Sequence, residues 1–375
     1  MPTNPEYPGV YIEEVPSGEH PIVGVPTSIT AFIGQSVAGP LNQPVRVLSA
    51  VAFEQQFGAL ASGGELACAV QGFFMNGGVE ARVVRVPDAA TDADWQAGLA
   101  ALDAVDIFNL MVLPAAASRA VLAAAAAYCE RRKAFLILAT PPGTDTPDQA
   151  QQFAASGAVP LSANAALYFP WVQIPDPAPV GETRWCPPSG MVAGIMARTD
   201  STRGVWKTPA GDEAALLGVQ GLKYALTDEE NGNLNSLAIN CVRQFPVPGI
   251  LVWGARTIVG RDATPSDWKY IPVRRLALFL EESLYRGTQW AVFEPNAEPL
   301  WAKLRLSIGA FMQCLFRQGA FQGATPQEAY YVKCDNQTTT QNDINNGVVN
   351  IVVGFAPLAP AEFVIIQIQQ FAGRS

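Results

Sequence analysis

A single histidine, His20, is the only imidazole in this chain of 375 residues, and it sits in a proline-rich opening segment. A Ser-His-Asp or Cys-His site needs its base held inside a scaffold. His20 is instead expected as an exposed linker residue of an extended stretch. Adjacent acids occur at Glu13/Glu14, Glu229/Glu230 and Glu281/Glu282. Neighbouring carboxylates on a helix point in different directions, so Glu281/Glu282 reads as a solvated face. A carboxylate-only hydrolase stays open at this stage, because its two acids can lie far apart in the chain. There is no GxSxG elbow, no GxxxxGK[ST] phosphate loop and no GxGxxG after a strand, and one histidine cannot make HExxH. The six cysteines, at 68, 129, 186, 241, 314 and 334, form no CxxC or finger spacing and read as buried free thiols of a reducing cytosol. No catalytic, metal or cofactor site is expected.

The composition points the same way. Hydrophobic residues make up 49% and charged residues 15%, so some apolar surface is expected to be covered by another molecule. The formal net charge of −9 disfavours nucleic acid as a partner. Nine Lys/Arg and six Asp/Glu fall between Arg256 and Arg317, which makes that stretch +3 and leaves −12 for the rest. Such a stretch reads as a solvated face, or as a contact surface for an acidic partner. No basic, apolar leader opens the chain and no run of eighteen apolar residues occurs, so neither a signal peptide nor direct membrane insertion is expected.

The elements that would position any site follow from periodicity. Residues 27–36 and 79–86 read as strands, and 49–58 and 66–78 as helices, the first closed by Gly58. Residues 104–114, 117–133 and 134–143 make a β-α-β unit with two almost wholly apolar strands, as strands covered on both faces require. Residues 166–177 add another strand. The expectation is an α/β domain over 21–262 around a partly parallel sheet.

From Trp268 the texture changes to a smaller α+β domain, expected over 263–357. An amphipathic helix at 273–287 leads to a strand and turn at 290–296. A long helix follows at 297–319, with Asn296 as N-cap and Leu300, Trp301, Leu304, Ile308, Phe311, Met312 and Leu315 as its apolar stripe. "TPQE" at 325–328 has capping-box form, and strands are expected at 329–334 and 347–357.

Both ends read as extended arms, 1–20 and 358–375. Gly9, Val10, Tyr11, Ile12 and Glu13 lie in a short alternating strand between Pro8 and Pro16. Phe363, Val364, Ile365, Ile366, Gln367 and Ile368 form a β-branched run at the other end, with no hairpin partner beyond it. A strand needs a neighbour for its backbone groups.

Several long stretches then carry a resemblance: "YPGVYIEE" at 7–14, "PPSGMVAGIMARTDSTRGVWKTPAG" at 187–211, "LNSLAINCVRQFPVPGILVWGARTI" at 234–258, "WKYIPVRRLALFLEESLYRGTQWAVFEPN" at 268–296, and the closing "NNGVVNIVVGFAPLAPAEFVIIQIQQ". In this order and over nearly the full length, the chain resembles the contractile tail sheath family of myophages, R-type bacteriocins and contractile injection systems. The resemblance implies a structural, multidomain protomer and no enzyme. It implies partners in further copies of itself, an inner tail tube protein, and baseplate and tail terminator proteins. It implies synthesis in a bacterial host cytoplasm and incorporation into a phage tail or phage-tail-like particle. Its arms would add strands to neighbouring subunits, with hinges at Pro16, Gly18, Pro357 and Pro360, and Lys303, Arg305 and Arg317 are candidates to face an acidic tube. The competing expectation is an α/β hydrolase-like enzyme, which the lack of a scaffold histidine disfavours.

Overall fold

The computed structural model describes residues 20–60, 64–114, 118–176 and 181–363. Two compact units emerge. One combines the described residues up to Val23 with Ser283–Ala356, and the other combines Gly24–Glu282 with the segment from Pro357 onward. The division falls inside the helix Ile271–Gly287 rather than ahead of it.

The larger unit is built on eight strands: β1 (Thr30–Gln35), β2 (Val45–Val47), β3 (Ala81–Val86), β4 (Leu110–Val112), β5 (Phe135–Ala139), β6 (Ala165–Phe169), and, after three short strands, β10 (Ile239–Phe245) and β11 (Gly249–Val252). Their order is β11-β10-β6-β5-β4-β1-β3-β2. β3, β1, β4, β5, β6 and β10 run parallel, and the edge strands β2 and β11 are antiparallel to their neighbours. Successive residues of a strand point to opposite faces. Phe32, Leu110, Val112, Phe135 and Ile137 therefore join one core with helices Ala50–Phe57, Glu65–Met75 and Ser189–Arg203. Ala31, Ile33, Met111, Leu136 and Leu138 join a second core with helices Asp92–Ala101, Arg119–Arg131, Pro147–Ala155 and Asp228–Ser236. A Cβ on Gly190 would lie 2.2 Å from the Ala69 carbonyl, so glycine is what lets two helices of the first core pack this closely. The short strands β7 (Val172–Pro175), β8 (Thr183–Cys186) and β9 (Gly221–Leu222) form a separate antiparallel sheet in the order β8-β7-β9. The expected strand at 166–177 thus divides, with its halves in different sheets on either side of Pro170, which has no N–H to donate.

The smaller unit carries the helix Glu298–Arg317 and two strands, β12 (Tyr330–Lys333) and β13 (Val352–Phe355), paired antiparallel from Tyr330↔Phe355 to Lys333↔Val352. All seven stripe residues named from periodicity are buried. Residues 290–296 do not form the expected strand. Gln289–Ala291 is a 3-10 turn, and Phe293 takes a left-handed φ of 71° that no strand accommodates. Nor is Asn296 the N-cap. Ala297 occupies that position, while the Asn296 side chain accepts from Trp301 Nε1 (2.9 Å) and donates to the Val348 carbonyl (2.9 Å). The capping box at Thr325–Glu328 is present. Five cysteines are buried free thiols, and Cys314 is exposed, contrary to expectation, because it lies off the helix's apolar stripe.

Candidate functional site

The α/β sheet has a switch point where the chain reverses direction between β1 and β4, which is where open sheets of this kind bind ligands. Gln35, Ser36, Leu113 and Pro114 stand at the carboxyl ends of these strands, and the Ser36 hydroxyl donates to the Phe57 carbonyl (2.5 Å). No group of three His, Cys, Asp or Glu side chains converges anywhere among the described residues. His20 is exposed and stacks on Trp290 with ring centroids 4.1 Å apart.

A different kind of site lies in the smaller unit. β12 and β13 form a sheet of two strands, so each has an outer edge whose backbone groups meet no further strand among the described residues. Tyr331 on β12 and Val352 on β13 are exposed. The Tyr331 ring lies across Gly354 so closely that a Cβ there would come within 2.2 Å of it. Beneath the sheet is a small core of Leu300, Trp301, Leu304 and Cys334, with Trp290, Ile344 and Ile351 packed against it. Phe321 contacts the rings of both Tyr330 (6.1 Å) and Phe355 (6.0 Å), and Tyr330 Oη donates to Gln313 Oε1 (2.8 Å). This tethers the sheet to the long helix while leaving its edges open. Two strands alone are marginally stable, and exposed edges accept further strands.

The basic stretch 256–317 is not one solvated face, because two of its nine cations are buried. Arg256 is 1% exposed and Arg275 3% exposed, and each is held by carboxylates. Arg275 binds Asp200 through two nitrogens (2.9 and 2.5 Å) and donates to the Thr27 carbonyl. Arg274 donates to Asn164 and Glu281, and Lys269 to Asp262. Among the tube-facing candidates, Arg305 is engaged by Glu298 (2.5 Å) and the Cys334 carbonyl. Lys303 and Arg317 are exposed. Fourteen residues apart on an α-helix, they stand about 40° from one another around the axis and so share a face. Leu306, Ala310 and Cys314 are exposed between them.

The arm residues divide. Gly9, Val10, Tyr11, Ile12, Glu13, Pro16 and Gly18 lie outside the described residues, as do Val364, Ile365, Ile366, Gln367 and Ile368. Pro357 and Pro360 follow β13 in a strand-free segment, and Phe363 is 78% exposed. What the sequence did not disclose is Arg256 as the partner of Glu362, immediately before Phe363. Guanidinium Nε and Nη2 donate to the two Glu362 oxygens (2.8 and 2.7 Å), and Tyr270 Oη adds a bond of 3.2 Å. Burial alone would raise the Glu362 carboxyl, but the bonds and charge of Arg256, with Lys269, outweigh it and hold the group below the ordinary carboxylate range.

Comparison with known proteins supplies the context. Residues 88–258 match the family described as phage tail sheath protein central domain, and residues 263–371 match phage tail sheath C-terminal domain. The chain is 27% identical over 293 residues to a prophage major tail sheath protein of Pseudomonas aeruginosa, covering 76% of this chain and 71% of that protein. Among solved structures it resembles the PVC sheath complex of an extracellular contractile injection system in the contracted state, with 30% identity, a TM-score of 0.81, and coverage of 98% of this chain and 99% of that one. It similarly resembles the anti-feeding prophage helical sheath in the contracted state, with 31% identity, a TM-score of 0.80, and coverage of 98% and 100%.

Proposed function

This chain belongs to the contractile tail sheath family, a structural and non-enzymatic component of phage tails or phage-tail-like particles, and from that premise we propose how it assembles and acts. Protomers polymerise into a helical tube around an inner tail tube by strand exchange. The N-terminal strand of one copy and the C-terminal strand of another add to the two outer edges of a third copy's β12–β13 sheet. The observation that carries this reading is that two-stranded sheet, with both edges open among the described residues. An apolar β-branched tail is a fitting occupant for such an edge. Exchange between non-equivalent surfaces of identical subunits yields a heterologous contact, which propagates as an open helix.

Contraction draws on assembly energy. No nucleotide-binding loop occurs in the sequence, so the extended lattice is the metastable state and the contracted lattice the lower one, with paired strands keeping the mesh connected. Pro16, Gly18, Pro357 and Pro360 are the proposed hinges. Lys303 and Arg317 face an acidic tube, and Arg305 braces the same helix through Glu298. The ends of the tube meet baseplate and terminator proteins. Synthesis takes place in the bacterial cytoplasm before incorporation into the particle, and the sheath itself neither binds nucleic acid nor inserts in the membrane.

The test is electron microscopy of the purified chain beside a version lacking residues 363–375. Hollow tubes from the full chain and folded monomers from the truncated one are the expected result. Equal assembly of the two, or monomers from both, overturns strand exchange. K303E/R317E is expected to leave sheath-only tubes intact and to weaken co-assembly with the inner tube.

A further inference from the structure

The α/β unit contains one buried cation whose partner comes from a segment 106 residues away, directly ahead of the C-terminal arm. Arg256 is held by its own surroundings before the arm is considered. Its backbone is gripped by the buried Asn240 side chain on β10, which accepts from Arg256 N (2.7 Å) and donates to Arg256 O (2.8 Å). Its Nη1 donates to Asp262 Oδ1 (2.9 Å) and the Asn235 carbonyl (2.9 Å). A bridge between Arg256 and Tyr270 places the tyrosine hydroxyl on the same carboxylate. What remains of the guanidinium is its Nε–Nη2 edge, a planar fork that fits one carboxylate in one orientation. Glu362 fills it, 16% exposed, while the very next residue, Phe363, is 78% exposed. The chain therefore passes from a fixed point to the surface within one residue.

Resting on the strand-exchange reading above, we propose that the Arg256–Glu362 clamp sets the exit point and register of the C-terminal strand that this chain donates to a second copy of itself. Arg256 is a positioning residue for assembly. In the strand-exchange reading the donated strand begins at Phe363, so no slack separates clamp and ladder. Because side chains alternate along a strand, a shift of one residue would present Phe363, Ile365 and the polar Gln367 to the accepting sheet in place of Val364, Ile366 and Ile368. The clamp also separates two parts of the tail. Length changes between β13 and Glu362 are absorbed before it, and changes after Glu362 are not.

This asymmetry gives the test. One glycine is inserted between Leu358 and Ala359, both exposed, or between Glu362 and Phe363, in the full chain. Tubes are collected by ultracentrifugation and imaged, with circular dichroism confirming the fold of each variant. The upstream insertion is expected to assemble within twofold of the unmodified chain, and the downstream insertion to lose tenfold or more in tube yield. Adding E362A to both should remove the distinction. Equal yields from the two insertions overturn the clamp as the determinant of register. The version lacking 363–375 runs in parallel. If it assembles like the full chain, strand exchange itself fails, whatever the insertions do.

Discussion

The two sheets of this molecule answer the same backbone problem in opposite ways. The eight-stranded sheet is covered by helices on both faces, and its edge strands β2 and β11 are short. The two-stranded sheet packs on Phe321 and the long helix, beside a small core of Leu300, Trp301, Leu304 and Cys334, and shows exposed Tyr331 and Val352. The first is covered on both faces within one chain, whereas the second leaves each strand with an outer edge that meets no further strand among the described residues. Amide exchange of the free protomer should register the difference, with β4 and β5 strongly protected and β12 and β13 exchanging much faster. Comparable protection in both sheets would break the comparison.

The largest single-site effect should fall in the larger unit. Arg275→Met leaves Asp200, 5% exposed, without its partner, and breaking a buried pair in this way costs about 3–5 kcal/mol, read from urea unfolding of the monomer. Leu304→Ala in the small core should cost about 2–4 kcal/mol and act locally. Exchange in residues 283–356 should rise while β4 and β5 stay protected, and global unfolding by this change would show that the two units are one cooperative body.

Glu362→Gln should be smaller, about 1–2 kcal/mol, because one flank of the carboxylate meets solvent. Its pH dependence has a definite sign. The folded Glu362 carboxyl titrates below its unfolded counterpart, so its contribution is complete above the ordinary carboxylate range and disappears as pH falls through the depressed folded value. The stability gap between the unmodified chain and the variant should be constant near neutrality and close on acidification. A gap that widens in acid would rule out the clamp as drawn.

The smallest changes compare the same chemistry in both units. Thr227 and Thr340 each cap a helix by accepting from the third helical N–H, from Glu230 N at 3.2 Å and Asp343 N at 3.3 Å. Replacement by alanine should cost about 1 kcal/mol at each. Thr227→Ala should lower the urea midpoint of the α/β unit, and Thr340→Ala should appear only as faster exchange in the smaller unit.

Local pattern determined much of this protein. Ridge periodicity identified all seven buried residues of the helix Glu298–Arg317, because a 20-residue helix with one apolar stripe has one way to bury it. Apolar runs flanking an alanine-rich segment gave the β-α-β unit, observed as Leu110–Val112, Arg119–Arg131 and Phe135–Ala139. Gly58 closed its helix with a left-handed φ of 100°, as its lack of a side chain allows. Long-range order came only with the tertiary structure. The eight-strand order and the division of 166–177 between two sheets depend on which backbone groups find partners far along the chain, and periodicity carries no such information. The basic stretch is the clearest case. As a sequence it was a charged face, and in the fold Arg256 and Arg275 are buried because Glu362 and Asp200 arrive from 106 and 75 residues away to hold them. A buried charge is tolerable only beside its counter-charge, and which counter-charge reaches it is decided by the fold.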